Sequence, residues 1–215
     1  MSKIATRQTA LAKLSDGQTV MIGGFLAVGT PESLVDGIVE LKLKDLTVIG
    51  NDTGFIDKGI GKLVVNKQTK KVIVSHIGTN PETGRQMNAG ELQVDLVPQG
   101  TLAERIRCGG SGLGGVLTPT GVGTIVEEGK EKKTIDGKTY LLELPLRANI
   151  ALLKAAKADT MGNLVYRRAS RNFNPLMAMA ADLVIVEAEE IVAVGCLDPD
   201  EIMTPGVMVD LVIQG

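Results

Sequence analysis

Residues 16–31 read DGQTVMIGGFLAVGTP, a short apolar run that enters a glycine-rich turn and continues into a helical pattern. Val20 to Ile22 follow the turn pair Asp16-Gly17 and carry the apolar, partly β-branched character of a buried strand. Gly23, Gly24 and Gly29 come at once. Lacking Cβ atoms, they tolerate positive φ and let another group approach the main chain closely. Thr30 is placed as an N-cap and Pro31 as the first helical residue, with Glu32 in the first turn. Leu34, Val35, Ile38 and Val39 then form the apolar stripe. Unpaired N–H groups at such a helix start suit an anionic or carbonyl-bearing ligand. A plain strand-to-helix connection accounts for the same residues.

Working outward, Ala5 to Leu14 has helical spacing, and Leu46 to Gly50 is a compact strand that stops at Asn51-Asp52. Val72 to Ser75 is a further strand ending at His76, followed by a polar loop from Gly78 to Gly90. Leu92, Val94 and Leu96 alternate with polar residues, which predicts a strand buried on one face. Thr101 to Arg107 is predicted helical, with Glu104 able to pair with Arg105 or Arg107. Gly109 to Gly115, GGSGLGG, reads as the most flexible segment. Lys132 to Leu144 is a hairpin around Asp136-Gly137. Strands are predicted at Ile150 to Leu153, Leu183 to Val186, Ile191 to Val194 and Val209 to Ile213, with a helix near Pro175 to Ala181. The pattern implies one α/β domain over residues 1–215, a mainly parallel sheet flanked by helices with an inserted β-hairpin.

Composition excludes several classes. Residues of both charge signs are scattered, the net charge is −2 and aromatic residues make up 2% of the chain, so neither a basic stripe nor stacking platforms for nucleic acid are present. No apolar run approaches the roughly 20 residues that span a bilayer. Met1 to Ala10 lacks the apolar core of a signal peptide, which predicts a cytoplasmic protein. Cys108 and Cys196 are the only cysteines, too few for a metal cluster, and are expected as free thiols. With no Trp, the core must be filled by Val, Ile, Leu, Met and Ala.

Gly110, Gly112 and Gly115 satisfy the dinucleotide pattern GxGxxG but follow a helical segment, and Pro119 interrupts the helix that should come next. Gly61-Lys62 lacks the leading Gly and the hydroxyl of a phosphate loop. His76, the only histidine, has no nucleophile motif around it and reads as structural. Of the many glutamates none is marked by spacing, although Glu187 closes an apolar run where α/β proteins place functional groups. Cys108 could be activated by Arg105 or Arg107, or simply be packed.

The same opening segment, Asp16-Gly17, Val20 to Ile22, Gly23-Gly24-Phe25, Gly29 and Pro31, resembles the signature of the family I coenzyme A transferases in their alpha subunit. IGNDTG (49–54), SHIGTNPETGR (75–85), VPQGTLAERIRCGGSGLGG (97–115), RNFNPLMAMAA (171–181) and TPGVMVD (204–210) are similar to that subunit as well, so the resemblance covers nearly the whole chain. It is nearest to the acetate or butyrate–acetoacetate transferases of bacteria.

The resemblance implies a ping-pong exchange of CoA between a thioester and a free carboxylate. A glutamate attacks the acyl-CoA, an acyl-glutamyl anhydride forms, and returning CoA thiolate gives a glutamyl-CoA thioester. That glutamate belongs to a Ser-Glu-Asn-Gly motif, which this chain lacks. The resemblance therefore implies a beta-subunit partner in a heterodimer paired into a heterotetramer, with CoA as a substrate and neither a resident cofactor nor a metal. It identifies Gly23, Gly24, Phe25, Leu26, Ala27, Val28 and Gly29 with CoA contact and Gln99 with the amide donor to the oxyanion. Asn51 and residues 109–115 are secondary candidates for shaping the pocket. A non-catalytic acyl-CoA-binding subunit and a thioester hydrolase are the rival readings.

Overall fold

The computed structural model describes residues 2–215. The chain first alternates helices and strands: α1 (Arg7–Leu11), β1 (Thr19–Ile22), α2 (Glu32–Leu41), β2 (Leu46–Ile49), α3 (Ile60–Val65), β3 (Thr69–Val74), α4 (Pro81–Asn88), β4 (Gln93–Leu96) and α5 (Gln99–Gly110). Three strands then form a small antiparallel sheet, β5 (Val116–Thr118), β6 (Lys132–Ile135) and β7 (Lys138–Glu143). The chain returns to the main sheet through β8 (Ala148–Asp159), β9 (Leu164–Val165), α6 (Asn174–Met179), β10 (Ala181–Val192) and β11 (Leu211–Gln214).

The main sheet has the order β11-β10-β8-β1-β2-β3-β4 with every neighbour parallel, and β9 pairs antiparallel on β8. The expected parallel sheet with an inserted hairpin is the observed fold. Val20 and Ile22 pack on one face with Leu34, Val35 and Ile38 of α2 and Leu63 and Val64 of α3. Met21 points to the other face, among Leu102 and Ile106 of α5 and Met177 of α6. Each such side chain, fully withdrawn from water, contributes about 1.5–3 kcal/mol. Successive strands β1 to β4 step in one direction and β8, β10 and β11 lie on the other side of β1. This reversal makes the C-terminal end of β1 a switch point, where open α/β sheets leave a crevice.

Several local expectations are corrected. Helix α2 begins at Glu32, with Pro31 as its cap residue and no side-chain cap from Thr30. Residues 78–90 are not a loop: Asn80 Oδ1 accepts from Glu82 N at 3.2 Å and Pro81 starts α4. Its buried residues are Thr83 and Gln86, which bond to Thr53 Oγ1 and the Val64 carbonyl, so no apolar periodicity announced it. Helix α3, with Ile60, Leu63 and Val64 inward, was not foreseen. Leu96 is 51% exposed because β4 is the edge strand.

The two strands predicted at 183–186 and 191–194 are one, β10. Its charged middle pairs across to β8, Glu187 with Lys154 and Glu190 with Lys157, in the direct register that favours opposite charges. Gly109 and Gly110 end α5 and are packed, with Leu146 O and Met179 occupying the space a Cβ would need. Asp136 and Gly137 both take positive φ, as a two-residue hairpin turn demands. Cys108 is buried and Cys196 exposed, both as free thiols. Among the described residues no helix is long and apolar enough to cross a membrane, and no group of three metal-binding side chains is found.

Candidate active site

Four consecutive parallel strands deliver one cavity. Phe25 and Leu26 follow β1, Asn51 and Asp52 follow β2, Ser75 and His76 follow β3, and Gln99 follows β4. Together they line a space of about 330 Å³ at the C-terminal edge of the sheet. The sequence-predicted residues Phe25, Leu26, Asn51 and Gln99 are thus brought together, although up to 74 positions separate them in the chain (99 minus 25). Asp52, Ser75 and His76 join them unforeseen. Their signal was position alone, each lying immediately beyond a strand end.

A hydrogen-bonded chain orders the polar side of the cavity. Gln99 Nε2 donates to Asn51 Oδ1 at 2.6 Å, and Asn51 Nδ2 donates to Asp52 Oδ2 at 2.7 Å. Asp52 also accepts from Leu26 N at 2.9 Å on Oδ2 and from Gly54 N at 2.7 Å on Oδ1. Ser75 Oγ donates to the Asn51 main-chain carbonyl at 2.7 Å and lies 3.2 Å from Asn51 Oδ1. Asp52 is 5% exposed, so a buried carboxylate is compensated by three donors. The Gln99 amide keeps a second N–H, which can donate to an oxygen entering the cavity.

The glycine loop is a miniature hairpin. Phe25 and Val28 exchange main-chain bonds at 3.0 and 2.9 Å, and the two residues between them, Leu26 and Ala27, have φ of 46° and 66°. Left-handed backbone costs a residue with a Cβ about 1–2 kcal/mol, so the surroundings must hold this turn in place. They do so from outside the loop. Asn172 Oδ1 accepts from Gly24 N at 3.2 Å while its Nδ2 donates to Val28 O at 2.9 Å, and Asn174 Nδ2 donates to Gly29 O at 3.0 Å.

The glycines are closely approached, and Gly24 and Gly29 take positive φ, 129° and 76°. A Cβ on Gly23 would overlap Asn174, one on Gly24 would overlap Thr30 Oγ1, and one on Gly29 would meet the Ser170 main chain. The close approach is made by this chain's own atoms. Gly23, Gly24 and Ala27 border a narrow space shared with Asp52 and Gly54. The start of α2 is occupied as well: Leu34 N donates to Glu187 Oε2 at 3.2 Å, and Glu187 pairs with Lys154 at 2.9 Å. Glu187, anticipated at a functional strand end, is a buried internal cap. Residues 109–115 start at the last two residues of α5 and run beyond it, roughly 15 Å or more along the helix from Gln99, and do not line the cavity.

A crevice at the C-terminal ends of parallel strands, beside the switch point, is where open α/β sheets bind ligands, and comparison gives the chain a family. The profile of the family described as coenzyme A transferase matches residues 4–215, and the chain belongs to that family. It is 59% identical over 212 residues to the acetate CoA-transferase subunit alpha of Escherichia coli K12, covering 99% of this chain and 96% of that one. It is 53% identical to the acetoacetyl-CoA:acetate/butyrate CoA transferase alpha subunit of Clostridium acetobutylicum, over 99% and 98% of the two chains. Among solved structures, an acyl-CoA transferase of Escherichia coli O157:H7 in a thioester complex with CoA superposes with a TM-score of 0.87 at 19% identity. That match covers all of this chain and 47% of the other. The glutaconate coenzyme A-transferase of Acidaminococcus fermentans gives 0.84 at 20% identity, covering all of this chain and 76% of that one. At these identities the likeness is one of fold.

Proposed function

We propose that this chain is the alpha subunit of a short-chain acyl CoA-transferase that moves CoA between an acyl-CoA and a free carboxylate such as acetate, butyrate or acetoacetate. The observation that carries the reading is the state of Asp52. Among the described residues it is the only carboxylate lining the cavity, and its oxygens are taken by Leu26 N, Gly54 N and Asn51 Nδ2. In this reading the attacking carboxylate comes from elsewhere, in keeping with the alpha-subunit names of the relatives. A beta subunit supplies a glutamate. It attacks the thioester carbonyl and CoA thiolate leaves; the thiolate then attacks the glutamyl carbonyl of the anhydride, giving glutamyl-CoA and releasing the first acid as its carboxylate, and the incoming acid reverses the sequence.

Gln99 supplies a donor to the oxyanion formed at each addition, an interaction stronger in the transition state than before it. The hairpin from Gly23 to Gly29 and Asn51 bound the CoA path. Exposed Phe25 and Val28, 42% and 52% accessible, provide apolar surface that the partner covers, and two such pairs form the heterotetramer. CoA enters as substrate, with no resident cofactor, and the complex works in the cytoplasm.

Reconstitution with the beta chain tests this. Exchange of label between acetyl-CoA and a free acid should require both chains, and borohydride should trap the thioester on the partner. Exchange by this chain alone, trapping on one of its own carboxylates, or net release of CoA without an acceptor acid would each overturn the reading.

A further inference from the structure

We propose that Asp52 is a positioning residue of the transferase site: it holds Asn51 in one of its two amide orientations and thereby makes Gln99 face the reacting carbonyl as a donor. The inference rests on the role given to Gln99 above. A buried carboxylate accepts and does not donate. Its orientation is set by main-chain groups that cannot flip, Leu26 N on Oδ2 and Gly54 N on Oδ1. Asn51 can satisfy Oδ2 at 2.7 Å only by presenting Nδ2, which turns its Oδ1 toward Gln99. At 2.6 Å from that oxygen, Gln99 must present Nε2. Ser75 Oγ donates its single hydrogen to the Asn51 main-chain carbonyl at 2.7 Å, which holds the backbone of Asn51 in place and leaves the choice of amide orientation to Asp52.

Each amide in this chain would flip readily on its own, since the oxygen and nitrogen ends have nearly the same shape. With Asp52 replaced by an apolar residue, Asn51 has no fixed acceptor. A reversed Asn51 would offer its N–H₂ to Gln99, draw the Gln99 carbonyl toward it, and break the order that keeps Nε2 at this place. Asp52 touches neither ligand nor nucleophile in this scheme. It acts through two side chains, Asn51 and Gln99.

Steady-state exchange by the reconstituted complex tests this with Asp52→Ala, Gln99→Ala and the double variant. Gln99→Ala is expected to lower kcat about 100- to 1,000-fold. Asp52→Ala alone should lower kcat about 10- to 100-fold while KM for acyl-CoA moves less than about threefold, the pattern of a lost transition-state interaction. Added to Gln99→Ala, it should cost less than about threefold, because what it positions is gone.

Equal kcat factors in both backgrounds, or an unchanged kcat for Asp52→Ala, overturn the role of Asp52 and leave that of Gln99 standing. A kcat insensitive to Gln99→Ala overturns both, and no exchange by the unsubstituted complex sinks the functional reading and this inference with it. Should Asp52→Ala fail to assemble, Asp52→Asn carries the same comparison. Its carbonyl can serve Asn51 and Leu26 while its N–H₂ opposes Gly54 N–H, so a smaller loss is expected that again vanishes beside Gln99→Ala.

Discussion

Gln99 Nε2 lies 2.6 Å from Asn51 Oδ1, two amides 48 positions apart in the chain that meet because β2 and β4 end at the same edge of one parallel sheet. The bond uses one N–H of Gln99 and leaves the other for a ligand. It also means that the charge of any group placed at position 99 is read directly by Asn51.

Gln99→Glu is accordingly expected to be at least as damaging as simple truncation. A carboxylate would set acceptor against acceptor at Asn51 Oδ1 and repel the developing oxyanion. A loss of at least about 100-fold in kcat, with the assembled complex intact by sedimentation, is the expected outcome. Retention of a tenth or more of the activity would contradict it.

Gly24 and Gly84 should respond to alanine in opposite senses. Gly24 has a φ of 129° and its Cβ would press into Thr30 Oγ1, so Gly24→Ala should destabilise by about 1–3 kcal/mol. Gly84 sits inside α4 with nothing within 4 Å of a Cβ, so Gly84→Ala should stabilise by about 0.5–1 kcal/mol. Urea midpoints of the two variants decide the matter.

Glu187→Ala removes the partner of Lys154 and the acceptor of Leu34 N in one step. Glu187 is 3% exposed, and a buried pair broken on one side costs about 3 kcal/mol or more. Equilibrium unfolding at neutral pH should show that loss. A change within about 0.5 kcal/mol, the usual range for a surface substitution, would show that the pair is not a structural element.

Arg85 and Gln86 hold the Glu82 carboxyl at about 2, below its ordinary 4.5. A lowered folded value means that ionised Glu82 favours the native state. Its contribution is complete above pH 4.5 and fades as the pH falls toward 2. The stability difference between the native chain and Glu82→Gln should follow that course in denaturation measured at stepped pH. A difference that grows on acidification would reverse the assignment.

The segment from Val20 to Val39 was legible because its strand, turn and apolar stripe are all local. The hairpin at Asp136-Gly137 was legible for the same reason, as a turn that accepts positive φ at both positions. Helix α4 was not, since it is anchored by Thr83 and Gln86 rather than by an apolar stripe, and polar anchors leave no periodic trace. The length of β10 was hidden because its charges at 187 and 190 look like a strand end until Lys154 and Lys157 stand opposite.

Residue types along the chain determined that strands and helices alternate, that a glycine-rich turn leaves the first strand, and that no Ser-Glu-Asn-Gly motif is present. Only the assembled sheet decided where the turn lies and what stands beside it. Parallel strands all end at one edge, so single residues just past β1, β2, β3 and β4 become neighbours without any spacing rule linking them. The same assembly settled that Glu187 occupies the start of α2 and that Asn174 fills the space above Gly23. Both are contacts between distant segments, and no local pattern can encode them.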